Sequence, residues 1–65
     1  MPSAAGLIDF AAAARIWEAL ALDGDARAQY NLGYLHANGQ GVPKDYARAL
    51  DWYTRAASQG FAAAR

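Results

Sequence analysis

Residues Asn38 to Tyr46 read NGQGVPKDY, and this glycine-rich stretch interrupts an alanine-rich chain of 65 residues. It could be a phosphate-binding loop, a hairpin turn or a linker between two helices. A P-loop needs Gly-Lys followed by Ser or Thr after a strand, and GQGVPK has neither that order nor a strand before it. Apolar alternation is absent around it, and β-branched residues are scarce. The stretch therefore predicts a helix linker, in which Gly39 ends one helix and Pro43 precedes the next.

Helical periodicity continues on both sides of this linker. A first helix is expected from Asp9, an N-cap residue, to a left-handed turn at Gly24. A second is expected over about Asp25 to Ala37 and a third over about Asp45 to Ser58, ending at Gly60. The pattern predicts three helices joined by two short connections.

The apolar faces of these helices indicate how they pack. The first helix has one face, made of Phe10, Ala13, Ala14, Trp17, Leu20 and Ala21. The second has two, made of Ala28, Leu32 and Leu35 and of Ala26, Tyr30, Gly33 and Ala37. The third has Tyr46, Ala49, Leu50, Tyr53, Ala56 and Ala57, with Trp52 beside it. Because glycine costs about 1 kcal/mol inside a helix, Gly33 predicts close approach of a neighbouring helix.

The chain also repeats itself. When it is shifted by 36 residues, DFAAAARIWEALALDGDARAQ lies over DYARALDWYTRAASQGFAAAR, with seven identical pairs among 21. Most of these pairs are alanines, so the positions matter more: Phe10 falls on Tyr46, and Gly24 falls on Gly60. A two-helix unit with a period between about 20 and 50 residues is typical of an α-solenoid.

Asp25 to Gly60 resembles one complete Sel1-like repeat, a relative of the tetratricopeptide repeat. The resemblance rests on AQYNLG in the first helix, NGQGVPKD between the helices and YARALDWYTRAASQG in the second. Residues 9–24 resemble the second helix of a preceding repeat and residues 61–65 the start of a following one, whereas the lead-in, residues 1–8, matches nothing. His36 departs from the pattern, which more often has tyrosine there. The resemblance implies an all-α fold of antiparallel helix pairs, an α-α superhelix, and an adaptor or scaffold function.

Composition excludes several function classes. Six basic and six acidic side chains leave no net charge, which argues against a nucleic-acid partner. No apolar run approaches the roughly 18 residues of a membrane helix, and MPSAAGLIDF lacks the pattern of a signal peptide, so we expect a cytoplasmic protein. No cysteine is present, and the single histidine, His36, lacks partners at helical spacing and an obvious nucleophile. No catalytic residue, metal or cofactor is therefore predicted, and His36 is expected to fill the core.

Two surfaces are candidates for partner contacts. On the second helix, Arg27, Asn31, Tyr34 and Asn38 lie within about 60° of one another, between its two apolar sides. The resemblance places this helix on the concave face of an array, where the row could bind an extended peptide or a carboxylate. Trp17, Trp52 and Tyr53 could form a stacking platform, but their spacing favours core packing. About three repeats are normally needed for stability, so an open edge near Trp52 and Phe61 predicts self-association as the alternative function.

Overall fold

The structure, a computed structural model, describes residues 9–60, and these form three α-helices. They are α1 (Phe10–Leu22), α2 (Ala26–Asn38) and α3 (Tyr46–Ser58). Between residues 9 and 60 the chain forms no strand, so the all-α prediction is confirmed. None of these three helices is long and apolar enough to cross a membrane. The predicted lead-in, residues 1–8, and the predicted start of a further repeat, residues 61–65, lie outside the described residues.

An aspartate caps each helix. The carboxylates of Asp9, Asp25 and Asp45 accept hydrogen bonds from the backbone N–H three residues later, over 3.1, 3.0 and 3.1 Å. These N–H groups have no partner within a helix, and such a cap contributes about 1 kcal/mol. The cap role was predicted for Asp9 and Asp45, whereas Asp25 was expected to begin the second helix and instead precedes it.

Helix α2 lies between α1 and α3 and packs against both. Gln29, near the start of α2, donates to the carbonyl oxygen of Ala21 at the end of α1 over 3.0 Å. Its own side-chain oxygen accepts from Gln59, at the end of α3, over 2.8 Å. Consecutive helices are therefore antiparallel. The buried Gln29 amide joins the start of α2 to the ends of α1 and α3. The core has few large side chains and comprises Ala14, Ala21, Ala28, Leu32, Leu35 and Trp52.

Close approach of α3 to α2 occurs at Gly33, as its position predicted. A Cβ atom there would lie 2.9 Å from two ring carbons of Tyr53 and 3.1 Å from the carbonyl oxygen of Ala49. The Tyr53 ring also packs on Tyr30, with 5.2 Å between ring centroids. The missing side chain thus makes room for an aromatic pair at the α2–α3 interface.

Gly33→Val should therefore destabilise the fold by about 2–3 kcal/mol, because overpacking displaces the Tyr53 ring and the α3 backbone. Urea unfolding followed by circular dichroism measures the change. Ala47→Val, at an exposed position of α3, is the matched control and should cost well under about 1 kcal/mol. Equal losses for the two variants would contradict the close approach at Gly33.

Burial raises the pKa of Tyr53 above its ordinary value of 10.0, and the neighbouring Tyr30 and Tyr34 raise it further. The folded chain therefore holds this proton more tightly than the unfolded chain does. The stability linked to it is complete below pH 10.0 and is lost as the pH rises through the higher folded pKa. Above pH 10.0, the free energy of unfolding should fall less steeply with pH for Tyr53→Phe than for the wild type. An unchanged alkaline slope would contradict this assignment.

The buried face of α3 differs from the predicted one. Trp52, expected beside the face, is only 8% exposed, whereas Tyr46 and Leu50, expected on it, are 66% and 67% exposed. The 36-residue shift gives the reason. Leu50 corresponds to Ala14 of α1, which α2 covers, but no helix follows α3 among residues 9–60 to cover Leu50.

Helix α1, at the other end of the three-helix array, also exposes apolar residues that no described helix covers. Ile16 corresponds to Trp52 but is 61% exposed, because no described helix precedes α1. Phe10 and Leu20, expected on the apolar face of α1, also keep 38% and 40% of their surface exposed. Each outer helix therefore buries the side that contacts α2 and exposes the side that a further repeat would cover.

The glycine-rich stretch is the α2–α3 connection, as predicted. Gly39 has a left-handed φ of 66° and caps α2. His36 is buried, its Nδ1 lies 3.3 Å from the Pro43 carbonyl oxygen, and its own carbonyl accepts from the Asp45 N–H over 2.9 Å. The connection then crosses the start of α1, where Gly41 lies directly against the Phe10 backbone. The expected structural role of His36 is confirmed.

Candidate peptide-binding surface

The predicted row of polar residues lies along α2, and we call Arg27, Asn31, Tyr34 and Asn38 the α2 stripe. Arg27, Tyr34 and Asn38 are exposed and Asn31 is half-buried. The Arg27 guanidinium has neither an ion pair nor a hydrogen bond within residues 9–60. Asn38 differs, because its amide donates to the Tyr34 carbonyl oxygen over 2.9 Å at the end of its own helix. Arg27, Asn31 and Tyr34 are thus the stripe residues with side-chain groups open to a partner.

A cavity of about 220 Å³ lies beside the stripe, in the seam between α1 and α2. We call it the seam pocket, and it is lined by Phe10, Ala13, Trp17, Asn31, Tyr34, Leu35 and Gln40. Asn31 and Tyr34 belong both to this pocket and to the stripe. The stripe is therefore one wall of an aromatic-lined recess, a form that binding sites commonly take.

Gln40 lines the seam pocket and carries a buried polar atom. Its Oε1 atom is buried, yet it accepts no hydrogen bond from any described residue. Sequence periodicity could not identify Gln40, because this residue lies in the α2–α3 connection and belongs to no helical face. Only the contact between that connection and the start of α1 places its side chain beside the pocket.

A second cavity, of about 420 Å³, is lined by Glu18, His36, Val42, Pro43, Asp45 and Arg48. Its polar groups mostly serve the fold: Asp45 caps α3 and pairs with Arg48 at 3.6 Å, and His36 lies against the Pro43 carbonyl. In the described part of the chain, no three acidic, histidine or cysteine side chains cluster as metal ligands.

The serine and threonine hydroxyls of α3 donate hydrogen bonds within their own helix. Thr54 and Ser58 donate to the carbonyl oxygens of Leu50 and Arg55, each over 2.7 Å. Neither is hydrogen-bonded to His36, whose Nδ1 lies against a backbone carbonyl. These residues therefore do not form a nucleophile–base pair of the kind that covalent catalysis uses.

The aromatic side chains considered for a stacking platform belong mainly to the core. Trp52 is buried there, and Trp17 is half-buried and packs against it. The preference for core packing is therefore confirmed for both tryptophans. Trp52 keeps only 8% of its surface exposed, and its place at a self-association edge stays a prediction. Phe61, the other residue of the predicted self-association edge, lies outside the described residues.

Comparisons with known proteins agree with this architecture. The family model described as Sel1 repeat matches residues 26–61. The chain is similar to chitin synthase regulatory factor 3 of Schizosaccharomyces pombe, with 47% identity over 69% of this chain and 5% of that protein. It is also similar to human protein sel-1 homolog 2, with 38% identity over 85% of this chain and 8% of that protein. No solved structure matches.

The chain thus spans less than a tenth of the length of these relatives. Their similarity nevertheless covers 69% and 85% of this chain. The range matched by the family model includes α2, the glycine-rich connection and α3. The packing of α2 between two antiparallel neighbours is the arrangement that the resemblance implied. The chain belongs to the Sel1 repeat family, whose repeats generally mediate protein–protein interaction.

Proposed function

We propose that this chain is a protein-interaction module of the adaptor or scaffold type, which binds a segment of a partner protein along the α2 stripe. The observation that carries the proposal is the row formed by Arg27, Asn31 and Tyr34, whose side-chain groups are open beside an aromatic-lined pocket. Relatives that are named as a regulatory factor and a sel-1 homolog support a non-catalytic role.

The chemistry of the stripe suits an extended peptide. An asparagine amide offers both donors and an acceptor to a peptide backbone, and a tyrosine adds a ring and a hydroxyl. A guanidinium binds a carboxylate through two parallel hydrogen bonds, and Arg27 has no such partner within residues 9–60. The three side chains together offer hydrogen bonds, apolar contact and charge along one side of α2.

A cross-linking experiment tests this function. A photoreactive phenylalanine in place of Tyr34 should capture a partner from cell lysate, whereas the same group in place of Arg15 should not. Arg15 is exposed on α1, about 140° around that helix from Phe10 at 100° per residue. The captured protein is then purified separately for binding measurements.

Replacing both Arg27 and Asn31 with alanine should weaken binding of that purified partner at least about tenfold, since hydrogen bonds to a charged group contribute about 1.5–3 kcal/mol. Arg15→Ala, which also removes one positive charge, is the control and should leave the Kd unchanged. Unaltered binding to the double variant would show that the α2 stripe is not part of the interface.

Self-association is the second candidate function, and the exposed apolar faces favour it. Leu22 and Leu50 are 69% and 67% exposed, and Ile16 is 61% exposed. Thermal unfolding across a hundredfold range of protein concentration distinguishes the two functions. A midpoint that rises with concentration would support self-association, whereas a constant, cooperative midpoint would argue against it.

A further inference from the structure

We propose that the second cavity, of about 420 Å³, binds a lysine side chain of a partner protein. We call it the connection cavity, because Val42 and Pro43 of the α2–α3 connection line it. In this arrangement the lysine ammonium donates to the Glu18 carboxylate and to Nε2 of His36, and its aliphatic chain lies against Val42 and Pro43. The inference adds a second contact surface to the proposed function, and it does not depend on the α2 stripe.

The hydrogen bond of His36 decides what its ring offers to the cavity. A carbonyl oxygen can only accept, so Nδ1, which lies 3.3 Å from the Pro43 carbonyl oxygen, carries a proton and donates. In the neutral imidazole the other nitrogen, Nε2, is then an acceptor. Nε2 has no hydrogen-bond partner in the described part of the chain and, unlike Gln40 Oε1, is not fully enclosed. His36, with 6% of its surface exposed, thus presents a fixed acceptor to the connection cavity.

The charge of the connection cavity favours a cation. Three charged side chains line it, and two of them cancel, because Arg48 pairs with Asp45 at 3.6 Å. The other, Glu18, is exposed and has neither an ion pair nor a hydrogen bond within residues 9–60. An unpaired carboxylate and the His36 acceptor therefore line the same cavity. A group that carries both a positive charge and N–H donors matches the two.

The same features argue against an inorganic cation and against an anion. Within residues 9–60, no three acidic, histidine or cysteine side chains cluster as metal ligands. An anion would meet the Glu18 charge and a ring nitrogen that accepts rather than donates, while Arg48 is already paired. An organic ammonium group needs neither a full set of metal ligands nor a positively charged partner.

The size and lining of the connection cavity suit a lysine side chain. Its volume of about 420 Å³ lies within the range of about 300–1,000 Å³ typical of small-ligand sites. Val42 and Pro43 supply apolar surface, and lysine packs its methylene chain along such surface while its charged end contacts polar groups. The ammonium donates in three directions, so it can serve acceptors on two helices, Glu18 of α1 and His36 of α2.

The test is a titration of the full-length, ¹⁵N-labelled chain with the peptide acetyl-Ala-Lys-Ala-amide. We expect shifts of the Glu18 and Val42 backbone amides and of the His36 ring resonances. Arg27 and Tyr34 of the α2 stripe should not shift. A second peptide, with norleucine in place of lysine, keeps an aliphatic chain but lacks the charge and the donors. It should bind at least about fivefold more weakly, because it loses the ion pair and the hydrogen bonds.

Variants of the chain separate the cavity from general charge attraction. Glu18→Gln removes the carboxylate at the same length and should raise the Kd of the lysine peptide about two- to fivefold, the effect of one exposed ion pair. Asp23→Asn, the control, removes one negative charge from an exposed position outside the cavity and should leave the Kd unchanged. His36→Tyr replaces the imidazole with the residue that Sel1-like repeats more often carry and should weaken binding at least about twofold. Folding of each variant is checked by circular dichroism.

Equal binding of the lysine and norleucine peptides, an unchanged Kd for Glu18→Gln, or no shift at Glu18 and His36 would overturn the inference. So would a loss for Asp23→Asn as large as that for Glu18→Gln, because the attraction would then be diffuse. Glu18 is exposed, so Glu18→Gln decides the question even if His36→Tyr does not fold. The proposed function fails by a different result, unchanged binding of the purified partner to the Arg27 and Asn31 double variant.

Discussion

Gly41→Ala should destabilise the chain by about 3 kcal/mol or more, enough to unfold much of so small a domain. Gly41 has a φ of 75°, in the left-handed region where a side chain is strained. A Cβ atom there would also overlap the Phe10 carbonyl group and the Ala11 backbone nitrogen at the start of α1. Since all of these are backbone atoms, no side chain can move aside to relieve the overlap. Urea unfolding monitored by circular dichroism measures the loss.

Gly24→Ala is the matched control for this substitution. Gly24 also has a left-handed φ, of 99°, but a Cβ atom there would meet nothing within 4 Å. Gly24→Ala should therefore lower the free energy of unfolding only through backbone strain, by about 1–2 kcal/mol. The difference between the two variants therefore isolates the contact between the α2–α3 connection and α1. If both variants lost the same stability, that contact would not be present in solution.

Trp52→Ala should destabilise the fold by about 3–5 kcal/mol, as truncation of a buried large aromatic side chain does. Trp52 is 8% exposed and belongs to the core between α2 and α3. The Arg55 guanidinium lies 4.8 Å above its ring and also pairs with Asp51 at 3.3 Å. The tryptophan is thus enclosed from the outside as well as from the core.

The corresponding position in the preceding unit provides the control. Ile16 occupies the position of Trp52 in the 36-residue repeat but is 61% exposed. Ile16→Ala should therefore change the free energy of unfolding by less than about 1 kcal/mol. A large loss for Ile16→Ala would mean that something covers this face in solution, as self-association would. A small loss for Trp52→Ala would contradict the described packing of α3.

Much of the fold follows from local signals in the sequence. Asp9 and Asp45 cap helices because a short carboxylate reaches the free N–H groups of a first turn. Gly24 and Gly39 end helices because each takes a left-handed φ. Gly33 indicated the close α2–α3 approach because a glycine inside a helix needs a compensating contact. The caps and the helix ends depend on neighbours within a few positions, and Gly33 signals its contact with α3 through the cost of a glycine inside a helix.

The parts that sequence reasoning missed depend on which helix is next to which. Leu50 is as apolar as a core residue, and only the absence of a described helix beyond α3 leaves it exposed. Trp52 was placed beside the apolar face because periodicity does not show where the centre of a helix interface lies. Gln29 is polar, yet it is buried because it joins the ends of α1 and α3.

The candidate site divides in the same way. Arg27, Asn31 and Tyr34 could be placed on one side of α2 from helical spacing alone. The seam pocket could not, because Phe10, Trp17 and Gln40 meet only through tertiary packing. The commitment of the Asn38 amide to the Tyr34 carbonyl also needed coordinates. Helical spacing thus predicts which residues share one side of α2. Tertiary packing and hydrogen bonding decide which of their side-chain groups remain open to a partner.

The central claim is that a partner protein binds along the α2 stripe. The most direct test is to add the separately purified partner, identified by cross-linking, to the ¹⁵N-labelled chain and to map the changes in its backbone amide resonances. The account predicts shifts at Arg27, Asn31 and Tyr34 and along the facing side of α1. It predicts none at Ala47 or Arg48, which are exposed on α3. Shifts confined to the exposed α3 face around Leu50, with an unchanged α2 stripe, would contradict it.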